Sequence, residues 1–138
     1  MPEPKPAAPK PIILCVDDEK IPLVLRKSVL EKFGYEVLAA QSGAEALQIL
    51  AAGPVDLVLT DLLMPGLSGT DLARQVKQSK PRLPVVLFSG VNEIPEDAAC
   101  ADLFLSKVEG PVAIHEKLDE LLRSSRAAAA TASAEPCV

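Results

Sequence analysis

The sequence predicts an α/β protein in which a doubly wound, five-stranded parallel sheet carries helices on both faces. Three observations predict it. Short apolar runs without polar alternation recur along the chain, as expected of strands buried on both faces. Between these runs, apolar residues fall at helical spacing. The two kinds of segment then alternate from residue 12 to about residue 122, which is the order of consecutive βαβ units.

The first strand is the run Ile12-Ile13-Leu14-Cys15-Val16. A helix follows with Pro22 near its start, and Leu25, Val29, Leu30 and Phe33 are its expected apolar positions before Gly34 stops it. Residues 35–40 are the second strand. Ser42-Gly43-Ala44-Glu45 reads as a capping box that opens a helix through Leu47, Leu50 and Ala51, halted by Gly53-Pro54. Residues 55–60 form the third strand. Ser68 or Gly69 opens the next helix, which runs through Leu72 and Val76 to about Ser79. Residues 84–88 and 102–105 are the fourth and fifth strands. Only residues 90–101 separate them, which leaves room for a loop and a shortened fourth helix of one or two turns, starting near Pro95. Gly110-Pro111 begins the last helix, with Ile114, Leu118, Leu121 and Leu122 facing inward.

The 138 residues amount to about one domain. Five of the 13 prolines (Pro2, Pro4, Pro6, Pro9 and Pro11) crowd residues 1–11, an extended Pro-rich tail. Residues 126–138 are rich in Ala and Ser and are expected to form a frayed, disordered tail. The folded unit is thus expected over residues 12–125. With 49% apolar residues the chain should fold. Aromatic residues are only 3%, which is poor for stacking bases, and a net charge of -5 argues against binding a nucleic-acid backbone. Three cysteines, Cys15, Cys100 and Cys137, without CxxC spacing make a disulfide framework or a structural zinc site a poor fit. No leader-like segment and no apolar run of about 20 residues is present, so a soluble, cytoplasmic protein without membrane insertion is expected.

The informative polar residues stand at strand ends. Asp17-Asp18-Glu19 follows the first strand, Asp61 the third, Ser89-Gly90 the fourth and Ser106-Lys107 the fifth. Open α/β sheets bind ligands at the carboxyl ends of their strands, so these residues should converge on one rim. Each alone has an ordinary role: an aspartate can cap a helix, a serine can sit in a turn, and a lysine can be a solvated charge. Their joint placement on four strand ends points further. Three neighbouring carboxylates repel one another, and a hard cation such as Mg²⁺ relieves that repulsion. A carboxylate beside the cation can attack phosphorus and become an acyl phosphate. Lys107 and Ser89 would then meet the phosphoryl oxygens with positive charge and a hydroxyl donor.

Four segments together resemble the receiver domain of two-component response regulators, the CheY-like family: Val16-Asp17-Asp18-Glu19, Asp61-Leu62-Leu63-Met64-Pro65-Gly66-Leu67-Ser68-Gly69, Phe88-Ser89-Gly90 and Phe104-Leu105-Ser106-Lys107. The resemblance covers residues 12 to about 123. It implies the flavodoxin-like strand order 2-1-3-4-5. It also implies Asp61 as phosphoacceptor, Asp17 and Asp18 as the acidic pair for Mg²⁺, and the Leu63 backbone carbonyl as a further ligand. Ser89 matches the switch hydroxyl, Lys107 the family lysine and Phe104 the aromatic switch position. Binding of FMN, which the same topology can support, would want a phosphate loop where this chain has Asp17-Asp18-Glu19.

Departures accompany the likeness. Val108 follows Lys107 where the family has a cis-bonded proline. Leu63 and Val91 are apolar where polar side chains often flank the attacking water, so slow phosphoryl loss is expected. His115, the only histidine, reads as a surface residue of the last helix, and Asp56 as a structural one. The expected function is that of a stand-alone receiver, phosphorylated on Asp61 by a sensor histidine kinase or a phosphotransfer protein. It would signal by contact with a downstream protein, without direct DNA binding, and a homodimer is compatible. It is a signalling domain rather than an enzyme with a separate substrate, although it assists its own phosphorylation and dephosphorylation. The alternatives are a phosphorylation-independent interaction module, or a phosphate sink or intermediate in a relay.

Overall fold

β1 (Ile12–Val16) pairs in parallel with β2 (Glu36–Ala40) on one side and with β3 (Leu57–Asp61) on the other. β4 (Val85–Ser89) and β5 (Leu103–Ser106) continue the sheet in parallel, giving the order β2-β1-β3-β4-β5. The computed structural model describes residues 10–62, 66–89, 103–106 and 110–131. Within these, the helices are α1 (Lys20–Lys32), α2 (Gly43–Ala52), α3 (Gly69–Ser79) and α4 (Pro111–Thr131). The short helix expected within residues 90–101 and the Lys107–Val108 bond lie outside the described residues, as does the Pro-rich segment before residue 10.

The apolar runs are buried on both faces for the reason the sequence suggests. Successive strand side chains point to opposite sides. Ile13 and Cys15 of β1 therefore join Leu57, Leu59, Val86, Phe88 and Leu105 in a core closed by Leu23 and Leu30 of α1 and by Leu118 and Leu122 of α4. Leu14 and Val16 face the other way, into a core shared with Val58, Ala46 and Leu50 of α2, and Leu72 and Val76 of α3. Each large aliphatic side chain buried this way stabilises the fold by about 1.5–3 kcal/mol before its ordering entropy is subtracted.

Local signals fix the element ends. Ser42 Oγ accepts from the Glu45 N–H at 3.1 Å, and Glu45 Oε1 accepts from the Gln41 N–H at 2.8 Å, so the capping box forms with its return bond one residue further out. Ser68 Oγ caps α3 by accepting from the Asp71 N–H at 3.2 Å. α1 closes through bonds from Gly34 N–H to Glu31 O (3.0 Å) and Tyr35 N–H to Leu30 O (3.4 Å), with Gly34 at φ +98°, a conformation open to glycine. Asp56 is structural as expected: its Oδ2 accepts from the Ile12 N–H at 2.7 Å and secures the start of β1.

Four expectations are corrected. β3, β4 and β5 each run one residue past their expected ends, because the parallel ladder pairs Asp61 with Phe88 and Ser89 with Ser106. The inward stripe of α1 is Leu23, Arg26 and Leu30 rather than one through Leu25, which is 61% exposed. α4 extends to Thr131, so residues 126–131 are helical rather than frayed, consistent with the high helix propensity of Ala127–Ala130. His115 is half-buried rather than a plain surface residue. Its ring stacks on Phe33 (centroids 4.3 Å apart, 5° between planes), and its Nδ1 lies 3.0 Å from the Tyr35 hydroxyl. The flat faces at the α1–β2 corner give the imidazole an apolar contact and a hydrogen-bond partner that helical spacing alone does not show.

Candidate phosphoacceptor site

The carboxyl ends of β1 and β3 bring three acidic side chains together. Asp17 follows β1 directly, and its N–H still donates to Ala40 O at 3.1 Å, extending the β1–β2 ladder by one step. Its side chain is 1% exposed. Oδ1 accepts from the Glu19 N–H at 3.0 Å and Oδ2 from Arg26 Nη1 at 3.3 Å. Asp18, next in the chain, is exposed. Asp61 is the last residue of β3 and only 7% exposed. One carboxylate oxygen from each of the three lies within 4.8 Å of the others.

The backbone at Asp61 is held from several directions. Leu62 N–H donates to Phe88 O at 3.0 Å, Thr60 Oγ1 donates to Asp61 O at 3.0 Å, and Gly69 N–H donates to Leu62 O at 2.9 Å. A Cβ on Gly69 would run into the Asp61 carbonyl oxygen and come within 2.9 Å of Leu62 Cα. Only glycine lets the start of α3 sit directly on the phosphoacceptor candidate.

These donors fit a hard divalent cation. Mg²⁺ takes oxygen ligands at about 2.0–2.1 Å, so ligand oxygens around one ion stand about 3–4 Å apart. The triad needs little closure to reach that spacing, and burial of Asp17 and Asp61 sharpens the mutual repulsion that a cation would relieve. The Arg26 guanidinium meets the cluster through Asp17, with Nη1 3.3 Å from Oδ2.

Other expected site residues can be placed in part. Ser89 ends β4 on the strand next to Asp61, opposite Ser106 of β5. Phe104 pairs through its backbone with Leu87. Leu63 and Lys107 lie outside the described residues. The sequence reading missed Arg26. The available signal was its spacing: it stands three residues after Leu23 and four before Leu30, on the buried face of α1.

A parallel sheet of this order, with a carboxylate triad spanning the ends of β1 and β3, defines a receiver-type signalling domain. The sequence model of the response regulator receiver domain matches residues 13–119, and the chain belongs to that family. Phosphoryl acceptance in two-component signalling is typical of it. Among curated relatives, the transcriptional regulatory protein GlrR of Escherichia coli K12 is 33% identical over 117 residues, covering 82% of this chain and 26% of that protein. The two-component response regulator ORR7 of Oryza sativa subsp. japonica is 32% identical over 118 residues, covering 80% of this chain and 56% of that protein. The chain thus spans between 26% and 56% of the length of these relatives. Among solved structures, response regulator TrrA from Thermotoga maritima in complex with Mg²⁺–BeF matches with a TM-score of 0.77 at 32% identity, over 80% of this chain and 98% of that one. A CheY-like receiver domain protein from Methanospirillum hungatei matches with a TM-score of 0.78 at 28% identity, over 85% and 97% of the two chains. Among the described residues, no helix is long and apolar enough to cross a membrane.

Proposed function

We propose that this receiver takes a phosphoryl group onto Asp61 from the phosphohistidine of a histidine kinase or phosphotransfer protein. The observation that carries this reading is the triad of Asp17, Asp18 and Asp61, with oxygens within 4.8 Å of one another at the rim where open α/β sheets bind ligands. Asp17, Asp18, Asp61 and the backbone carbonyl of Leu63 would hold Mg²⁺. Bound there, the ion supplies positive charge against the phosphoryl oxygens. An Asp61 carboxylate oxygen attacks phosphorus as the P–N bond of the donor breaks, and the electron pair returns to the imidazole nitrogen. Lys107 and the Ser89 hydroxyl take the remaining phosphoryl oxygens. Movement of Ser89 towards the new group lets Phe104 repack, which changes the face formed by the last strands and α4.

The donor and the target are proteins in this reading. Ile21, Val24 and Leu25 of α1 and Val112 of α4 are large apolar side chains 53–73% exposed. They stand in the first two turns of α1 and α4, the helices that follow β1 and β5, and exposed apolar side chains of this kind would suit contact with a protein donor.

The test is incubation with a small phosphodonor and Mg²⁺, followed by intact mass and backbone chemical shifts. One phosphoryl group should be added, Asp61→Asn should remove it, and resonances near Ser89 and Phe104 should move. Absence of labelling with every donor, including a cognate kinase, would sink the proposal. Labelling without shifts would remove the switch and leave a phosphate sink.

A further inference from the structure

Arg26 has a place in the fold that phosphoryl acceptance alone does not use. It stands on the inward face of α1, between Leu23 and Leu30, and its side chain is 12% exposed. Nη1 lies 3.3 Å from Oδ2 of Asp17, which is itself almost wholly buried. Its Cζ lies 4.5 Å from the centroid of the Phe88 ring, a cation–π contact. Phe88 is the β4 residue paired with Asp61. Arg26 also lines a cavity of about 230 Å³ with Pro22, Leu25, Val29 and Ile114, between α1 and α4. A single side chain therefore touches a ligand candidate, the strand beside the phosphoacceptor and the groove behind them.

We infer that Arg26 is a positioning residue, a resident cation at Asp17, which shares that carboxylate with Mg²⁺ and thereby lowers the affinity of the site for the ion. This rests on the reading that Asp17, Asp18 and Asp61 hold Mg²⁺. Two like-signed cations on one carboxylate repel each other, and burial of Asp17 limits the screening of that repulsion by salt. Without the divalent ion, the guanidinium offsets part of the repulsion among the three carboxylates. Arginine suits this role better than lysine because its fork can bond Asp17 while its plane stacks on a ring. A cation drawing on Asp17 would weaken its bond to Nη1, and because the same guanidinium lies over Phe88 and lines the α1–α4 cavity, that change would be felt there.

The experiment is a Mg²⁺ titration of the full chain, read from the backbone amide shifts of Asp17 and Asp18. It is run on the unmutated protein, Arg26→Gln and Arg26→Lys. Arg26→Gln should bind Mg²⁺ about three- to tenfold more tightly, because a cation beside the ligand is gone. Arg26→Lys, which keeps the charge, should stay within about twofold of the unmutated chain. A purely structural role for Arg26 gives the opposite sign, since a loosened site holds the ion less well. In the unmutated protein, the Arg26 Nε–H resonance should move over the same Mg²⁺ range as the Asp17 amide, a reading that needs no variant to fold. Equal or weaker binding by Arg26→Gln, or a stationary Nε–H resonance while the Asp17 amide moves, overturns the inference and leaves Mg²⁺ binding intact. No Mg²⁺ response at all in the unmutated protein overturns the metal reading together with it.

Discussion

Cys15 lies two residues before Asp17 on β1, fully buried, and burial pushes its thiol up to about 12. The nearby Arg26 guanidinium pulls in the other direction without prevailing. The thiolate is the reactive form, so Cys15 should resist alkylation at neutral pH in the folded protein and react on denaturation. Peptide mass mapping after thiol alkylation checks this, and equal modification in both states would contradict it. Tyr35 is the only tyrosine, so its titration can be followed by phenolate absorbance without overlap. Burial, and then the Asp119 carboxylate, push it up to about 12. The folded state therefore keeps its proton where the unfolded chain, at about 10, has lost it. Its contribution to stability is complete below pH 10 and is lost as pH rises towards 12. A folded-state midpoint near 10 would show that the hydroxyl facing His115 is not shielded.

At the scale of elements, helix starts do most to place the site. Ser42→Ala removes the side-chain acceptor of the α2 cap and should cost about 1 kcal/mol, read as a lower urea midpoint with an unchanged slope. The start of α3 is tied more directly to chemistry, since Gly69 packs against the Asp61 and Leu62 backbone. Gly69→Ala should cost about 1–3 kcal/mol through overpacking and should also shift the Asp61 amide resonance. A stable variant with an unmoved Asp61 resonance would mean that α3 can slide away without disturbing β3. α4 is held within its first two turns, where His115 stacks on Phe33 and meets Tyr35. That corner ties the last helix to the junction of α1 and β2.

Across the whole molecule, the first strand and the last helix share one core. Leu118 of α4 is fully buried in the cluster that contains Ile13 and Cys15 of β1. Residues so far apart in sequence can support each other only in the closed fold, so the sheet and its helices should unfold in one transition. Leu118→Ala should lower stability by about 2–5 kcal/mol while keeping that single transition. A second transition appearing in denaturant would show that α4 detaches by itself.

Much of this was legible in the sequence. The runs at Ile12–Val16 and in β3 and β4 announced strands covered on both sides, and the carboxylates at their ends announced the rim. Ser42-x-x-Glu45 and Ser68 announced helix starts, because the capping atoms lie within three residues of the groups they satisfy. What sequence periodicity did not decide was the direction and partner of individual polar side chains. Arg26 and His115 sit on helix faces whose surroundings come from remote segments: Asp17 and Phe88 for the first, Phe33 and Tyr35 for the second. The sequence by itself determined the alternation of elements and the acidic character of the rim, because hydrophobic period and end-residue type are local properties. Only the tertiary structure decided that a guanidinium shares the buried Asp17 and that the last helix is pinned through its imidazole, because those contacts exist only once distant segments meet.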